Sequence, residues 1–425
     1  MSFTSLNLCP PILRAIEESG YTQPTPIQGA AIPAVLAGGD LMAMAQTGTG
    51  KTAGFVLPIL QLLSTSKKAQ HTLVGAPAAL ILVPTRELAL QVLNSVKTYG
   101  KYLPLQSMSI IGGVSINPQI KQLHRKLDIL IATPGRLLDH IKQKTLDLSK
   151  VNMLVLDEAD RMLDMGFIPD IRKIMRLLPV KCQNMLFSAT FSDEIKVLAD
   201  SILKSPSIIE VAKRNTASAM ISHKVHPTSG NKKKELLAYL IIENSWHQVL
   251  VFTRTKYGAD KLAHYLDARG LPALAIHGNK SQGNRSSTLA KFKNGSLQVL
   301  VATDIAARGL DIVDLPYVVN FDLPKVAEDY IHRIGRTGRA GQRGYAVSLV
   351  APEEKGLQIA IERLLKNKIT EEVITGFEHA LPIPSKVLKQ NDAAQNNTPP
   401  RDRKPFKNKY DRQNKRYFHQ KKRDN

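Results

Sequence analysis

A chain of 425 residues in which 43% are hydrophobic is too long for one ordinary core and apolar enough for two domains and a tail. A formal charge of +22 points to a polyanionic partner, nucleic acid first, while two cysteines exclude a disulfide framework or a cysteine-built zinc site and fit a reducing compartment. The longest apolar runs, such as Ala78 to Val83, are strand-sized and argue against a membrane span.

Leu6 to Ser19 repeats apolar residues at helical period, and Gly20 closes the pattern. The first twenty residues hold no apolar core flanked by basic residues, so no targeting leader is expected. In Tyr21-Thr22-Gln23-Pro24-Thr25-Pro26-Ile27-Gln28, two prolines fix an extended turn ahead of a helix from about Ile27 to Leu36. The apolar run Leu41 to Ala45 then enters Ala45-Gln46-Thr47-Gly48-Thr49-Gly50-Lys51-Thr52, which reads as a phosphate-binding loop with Ala45 where the usual pattern has glycine. Gly48 and Gly50 lack a Cβ and let backbone amides come close to phosphates. Lys51 reaches the terminal phosphates, the Thr52 hydroxyl suits Mg²⁺, and a helix begins near Lys51 with its positive end toward the ligand.

Strand and helix patterns then alternate: Ala79 to Val83, a helix from Arg86, Leu105 to Ile111, a helix near Asn117, Asp128 to Ala132, a helix from Pro134, Met153 to Asp157, and Met185 to Ser188. That alternation predicts a parallel sheet covered by helices on both faces. Thr85-Arg86 and Thr133-Pro134 each stand where a strand gives way to a helix, with threonine as the expected cap and proline suited to the first turn. Helix starts of this kind bind phosphates without reading bases. The strand from Met153 ends in Asp157-Glu158-Ala159-Asp160. At the carboxyl end of a strand in a doubly wound sheet, Asp157 is placed to join an Mg²⁺ shell and Glu158 to orient the attacking water. Capping of the next helix is the other reading of these acids, and the phosphate loop upstream weighs against it.

From Val211 to Thr228 the pattern loosens into a polar, basic connection. A second series follows: Gln248 to Thr253, a helix from Lys256, Pro272 to Ile276, a helix near Gln282 to Phe292, Leu297 to Ala302, Tyr317 to Asn320, a helix near Ala327 to Arg333, and Tyr345 to Leu349. The expected division is a first α/β domain over 1–211, a linker over 212–228, a second α/β domain over 229–378 and a tail over 379–425. Two doubly wound domains with one nucleotide loop imply a cleft enzyme. Arg336 and Arg339, three apart near a helix end, can face the same way; taken alone they read as a basic solvated face, and placed across that cleft they would neutralise a transferring phosphoryl group. His277 and Trp246 read as structural. Between Pro399 and Asn425, eleven Lys or Arg stand against three Asp, with Phe406, Tyr410, Tyr417 and Phe418 interleaved. A segment of that composition is expected to be disordered when free and to contact RNA through charge and base stacking.

In order along the chain, these stretches resemble the DEAD-box RNA helicases, with Asp157 to Asp160 spelling the family signature. Pro24 to Gln28, with Phe3 upstream, resembles the adenine-sensing Q motif. The resemblance continues through Pro84 to Ala89, Gly112-Gly113, Thr133 to Arg136, Ser188 to Thr190, Val251 to Lys256, Gln282 to Arg285, Ala302 to Asp311 and His332 to Arg339. Ser2-Phe3 and Leu13 to Ile16 are further similar to the bacterial RhlE-like branch. The fold so implied is a tandem pair of RecA-like domains. The activity implied is RNA-stimulated ATP hydrolysis coupled to local, sequence-independent unwinding or remodelling of RNA duplexes and ribonucleoproteins.

The resemblance also assigns roles by position. ATP is held by Tyr21, Gln23, Gln28, the loop from Ala45 to Thr52, Asp311, Arg336 and Arg339, the Gln28 amide pairing with the N6 and N7 of adenine. RNA contacts fall to Pro84, Thr85, Arg86, Gly113, Thr133, Pro134, Gly135 and Arg136 in the first domain, and to Thr253, Arg254, Gln282, Arg285, Thr303 and Arg308 in the second. Ser188, Thr190, Asp160 and His332 couple hydrolysis to strand separation. Mg²⁺ falls to Thr52 and Asp157, and catalysis to Lys51, Asp157, Glu158, Arg336 and Arg339. The expected partners are single-stranded RNA and short duplexes, with no membrane, around a monomeric core. The expected setting is the cytoplasm, in ribosome assembly or RNA degradation. Two alternatives stay open on the residues: a P-loop ATPase acting on DNA, and an ATP-gated RNA clamp acting mainly as an assembly factor.

Overall fold

Aliphatic runs of four to seven residues alternate with amphipathic segments, and in the computed structural model the runs become strands and the segments helices laid over them. Described are residues 2–45, 48–65, 74–211, 221–307, 310, 312, 315–338 and 343–378, all within one unit. Gln46, Thr47, Arg308, Asp311, Arg339 and the tail 379–425 lie outside the described residues.

The first lobe holds strands β1 (Leu41–Met44), β2 (Ala79–Leu82), β3 (Ser107–Ile110), β4 (Ile129–Ala132), β5 (Met153–Leu156), β6 (Gln183–Ser188) and β7 (Ser207–Glu210) in the order β3-β4-β2-β5-β6-β1-β7. Every neighbouring pair is parallel. The register sets the site: Met44 lies beside Ser188 and Leu82 beside Leu156. The Ala45 N–H donates to the Ser188 carbonyl at 3.1 Å and the Asp157 N–H to the Leu82 carbonyl at 3.0 Å. The phosphate loop, the acidic signature and Ser188-Ala189-Thr190 thus leave the sheet at one edge. This is the carboxyl edge at which open α/β sheets hold ligands.

The second lobe repeats the plan with β8 (Ile221–Pro227), β9 (Val249–Thr253), β10 (Ala273–Ile276), β11 (Val299–Thr303), β12 (Tyr317–Asn320), β13 (Gly344–Val350) and β14 (Thr370–Glu371), ordered β10-β11-β9-β12-β13-β8-β14 and again all parallel. Two tandem doubly wound domains are therefore present, as the alternation predicts. Strand β8 differs from expectation, because it lies within the stretch 212–228 that the sequence suggests is a connection. Its sequence Ile-Ser-His-Lys-Val-His-Pro hides the strand. His223 and His226 stand where aliphatic residues would be expected, and they are held by Tyr330 Oη at 3.0 Å and the Glu372 carbonyl at 2.8 Å.

Each sheet carries apolar layers on its faces. Phe55 and Phe187 meet at 5.1 Å under the first, and Trp246 stacks on Tyr317 at 4.7 Å in the second. Trp246 is a core residue, and His277 is buried with its Nε2 2.9 Å from Asp260, so both are structural as expected. Fully burying a ring such as Phe55 stabilises the fold by about 3 kcal/mol.

Burial also makes some histidines resist protonation. His140, fully buried, has its pKa pulled below the ordinary value by desolvation and then by the Arg136 charge, and burial lowers His223 and His226 as well. A lowered folded pKa means that the unfolded chain takes up the proton first as pH falls. The stability these groups confer is therefore complete above their unfolded pKa of about 6.5 and is lost below it. The thermal midpoint is expected to drop between about pH 7 and pH 5.5 in scanning calorimetry. A midpoint that rises over that window contradicts the assignment.

Candidate nucleotide and RNA site

The loop after β1 needs glycine for two separate reasons. Gly48 and Gly50 sit at φ 85° and 90°, where a side chain is strained, and a Cβ on Gly50 would lie 2.4 Å from Gln28 Nε2. Gln28 is buried, accepts from the Thr25 N–H at 2.9 Å and donates to the Gly50 carbonyl at 3.1 Å. It is therefore a strut between the proline turn and the phosphate loop. One lone pair and one N–H of its amide are left over by these two bonds. Tyr21 exposes about half its surface, with its ring 6.4 Å from that of Tyr99, and Gln23 is exposed beside it.

Lys51 opens the helix Lys51–Thr65, and its buried Nζ has no hydrogen-bond partner among the described residues. Asp157 is 2% exposed, and its Oδ1 accepts the Glu158 N–H at 2.9 Å. Burial pushes its carboxyl up to about 7, against the pull of the Lys51 charge and with a further push from Glu158. A buried ammonium without a partner beside an acid disfavoured as an anion is the charge arrangement that a phosphate with a divalent cation would complete. Among the described residues no group of three or more His, Cys, Asp or Glu could hold a metal by itself, so phosphate oxygens would have to share the shell.

Glu158 is held in the left-handed region at φ 55°, ψ 51°, a strained position for a non-glycine residue. Its carboxylate pairs with Arg161 at 2.7 Å, both side chains nearly buried. Arg161 was not among the expected site residues, although its spacing of three from Glu158 on a helix start is a readable signal. Of the four residues expected to couple hydrolysis to strand separation, the three of the first lobe lie together. Asp160 Oδ2 accepts the Ala189 N–H at 3.1 Å, and Ser188 Oγ donates to the Thr190 carbonyl at 2.9 Å while accepting its N–H at 3.3 Å.

On the remaining rim, Thr85 caps the helix Arg86–Tyr99 by accepting the Leu88 N–H at 3.3 Å. Thr133 precedes the helix Pro134–Lys142 without any side-chain cap, so that part of the expectation does not hold and its hydroxyl is not spent on capping. Pro134 fills the first turn, as expected. The Arg86 guanidinium lies over Gly113, where a Cβ would come within 2.0 Å of it, and Arg136 Nη2 donates to the Val114 carbonyl at 2.9 Å. Arg86, Gly113 and Arg136 are thereby gathered around one turn beside Pro84 and Gly135.

The second lobe departs from a simple basic RNA face. Arg285 Nη2 pairs with Glu87 Oε2 at 2.8 Å, and Gln282 Nε2 donates to Glu87 Oε1 at 3.0 Å, all nearly buried. Both residues, expected on RNA, hold a carboxylate of the first lobe, and the Glu87 charge compensates the buried Arg285 guanidinium. Thr253 and Thr303 end neighbouring strands in register and are buried. Arg254 is half-exposed and pairs with Glu354 at 2.9 Å.

Arg336 lies beyond the helix Ala327–Ile334 rather than on it, buried, with Nη1 donating to the Leu310 carbonyl at 2.7 Å. Helical spacing therefore does not govern how it is aimed. Beside it Arg333 makes a two-pronged pair with Asp304 at 2.6 and 2.8 Å. A narrow cavity at the seam between the lobes is lined by Arg161, Asp304, Asp329, His332, Arg333 and Arg336. The arginine that holds Glu158 and the arginine expected as a finger thus open on one space.

Residues 25–198 match the DEAD/DEAH box helicase model, and residues 232–341 match the helicase conserved C-terminal domain model. The chain is 44% identical over 368 residues, 87% of its length and 69% of the relative's, to the DEAD-box ATP-dependent RNA helicase CshA of Bacillus cereus. It is 42% identical over 371 residues, 87% of its length and 94% of the relative's, to the ATP-dependent RNA helicase RhlB of Pseudomonas syringae. Among solved structures it resembles S. cerevisiae Dbp5 bound to RNA and ADP BeF3 with a TM-score of 0.77 and 32% identity, covering 88% of this chain and 95% of that one. The chain belongs to the DEAD-box family of helicases.

Proposed function

We propose that this helicase is an RNA-dependent ATPase that couples ATP hydrolysis to local, sequence-independent unwinding or remodelling of RNA duplexes. The observation that carries the reading is the shared seam: Arg161, which holds Glu158 of the first lobe, lines one cavity with His332 and Arg336 of the second, and the Glu87–Arg285 pair bridges the two lobes. Lys51 receives the terminal phosphates, Glu158 orients the attacking water from a carboxylate fixed by Arg161, and Arg336 with Arg339 neutralises charge on the transferring group. Thr52 and Asp157 hold Mg²⁺, which when bound supplies Lewis-acid stabilisation of the phosphate charge. Tyr21, Gln23 and Gln28 border the base, and Asp311 borders the ribose.

RNA lies along Arg86, Gly113, Thr133 and Arg136 on one lobe and Thr253, Arg254, Thr303 and Arg308 on the other. These are backbone contacts that read no sequence. Gln282 and Arg285 border the same RNA path and also hold Glu87 across the cleft. The working domains are 1–211 and a second domain beginning at β8, with a basic RNA-binding tail over 379–425. Among the described residues no helix is long and apolar enough to cross a membrane. A cytoplasmic monomer of the RhlE-like branch, acting in ribosome assembly or RNA decay, fits this reading.

The test is unwinding of a short RNA duplex against a DNA duplex of the same sequence. ATP-dependent separation of the RNA, with ATPase activity raised by RNA and little by DNA, is expected. Equal stimulation by DNA would favour the DNA-directed reading, and tight ATP-gated RNA binding without strand separation would favour the clamp.

A further inference from the structure

The second lobe contains a buried ionic network that stands behind Arg254 and that the nucleotide chemistry does not use. At its centre is Glu354, 5% exposed, with Lys233 at 3%. The Lys233 ammonium bonds Glu354 Oε2 and donates to the Phe321 carbonyl at 2.7 Å. Glu354 Oε1 accepts from Arg254 Nη2 at 2.9 Å and from the Leu323 N–H at 3.3 Å, and Oε2 accepts from the Ala351 N–H at 3.2 Å. The Arg254 backbone N–H donates to Asp322 Oδ2 at 2.8 Å, while the Asp322 carbonyl accepts from Arg333 Nη1 at 2.7 Å.

Burying a carboxylate and an ammonium is costly unless their remaining valences are filled, and here four donors converge on one carboxylate. Arg254 differs from the other members in keeping 42% of its side chain exposed. Its guanidinium is therefore anchored through Nη2 while much of the side chain stays accessible. A long side chain loses much rotamer entropy when it engages a phosphate, and an arginine already fixed on one edge loses less.

We propose that Glu354, itself held by Lys233, is a positioning residue that pre-orients Arg254 for the RNA backbone. The same network links that contact through Asp322 to Arg333, which stands in the segment carrying His332 and Arg336. The inference rests on the reading of Arg254 as an RNA contact, and the experiment keeps the two apart.

The full chain is compared with Arg254→Ala, Glu354→Gln, Lys233→Met/Glu354→Gln and Arg254→Ala/Glu354→Gln. Readouts are the poly-uridine concentration for half-maximal ATPase stimulation, the KM for ATP and the thermal midpoint. The variant that removes both buried charges guards against simple unfolding, since replacing a buried pair by neutral groups is often tolerated. Glu354→Gln is expected to raise the half-maximal RNA concentration about tenfold, well beyond any change in ATP KM, as losing a charged hydrogen bond does. The Lys233→Met/Glu354→Gln chain should show the same rise with its midpoint recovered, and Glu354→Gln should add nothing in the Arg254→Ala background. Should both Glu354 variants keep the unmodified RNA requirement while Arg254→Ala raises it, the positioning role is overturned. An Arg254→Ala chain with unchanged RNA requirement would instead remove the RNA-contact reading on which the inference stands.

Discussion

Replacing Arg336 with alanine is expected to lower RNA-stimulated ATP turnover by about 10³-fold, the worth of an arginine that neutralises a phosphoryl transition state, while the KM for ATP changes by only a few-fold. About 4 kcal/mol of barrier stabilisation corresponds to that factor. The reason is geometric. Arg336 is buried at the seam and reaches it from the second lobe, whereas the ammonium of Lys51 and the carboxylates of Asp157 and Glu158 belong to the first. Ground-state binding of the phosphates rests mainly on the loop of the first lobe, so the loss of Arg336 should appear chiefly in kcat. Steady-state ATPase assays at saturating RNA measure both numbers. A variant with unimpaired kcat and a raised KM would make Arg336 a binding residue.

Glu158→Gln is expected to lower kcat by about 10²- to 10³-fold with ATP and RNA binding retained. The amide oxygen of glutamine can still accept from Arg161, which sits 2.7 Å from the carboxylate, so the strained backbone at φ 55° should persist. What disappears is the negative charge that polarises water. Single-turnover hydrolysis measured beside equilibrium ATP binding separates the two effects. A chain that unwinds and hydrolyses at the unmodified rate would show that the water is oriented by another group.

The strands that carry the site were readable because parallel strands covered on both faces are continuous apolar runs. Leu41–Met44, Met153–Leu156 and Val299–Thr303 are buried throughout. Strand β7 escapes such reading because it is mostly exposed at an edge, and β8 escapes it because His223, Lys224 and His226 interrupt its apolar run, with the partners of the two histidines, Tyr330 and Glu372, lying more than a hundred residues further on. At the site, the phosphate loop and the acidic signature were legible since their chemistry lies within a few residues. The contact that Gln282 and Arg285 make with Glu87 was not. Their partner Glu87 stands 195 residues before Gln282, and a basic residue looks the same in sequence whether it faces a phosphate or a carboxylate across a cleft. Gln28 shows the same limit, since its capping of Thr25 is local and its bond to Gly50 comes only with the fold.

The central claim is that one active site is assembled from two lobes, and the distance between them measures it. Val180 is 85% exposed on the first lobe and Val373 58% exposed on the second, so a dye on each, introduced as Val180→Cys and Val373→Cys with Cys9 and Cys182 replaced, reports that distance by single-molecule energy transfer. A non-hydrolysable ATP analogue and single-stranded RNA added together should draw the pair into one narrow distribution, with either alone falling short because each favours the state that the other also needs. A distribution that stays the same without ligand, with either ligand and with both would contradict the account.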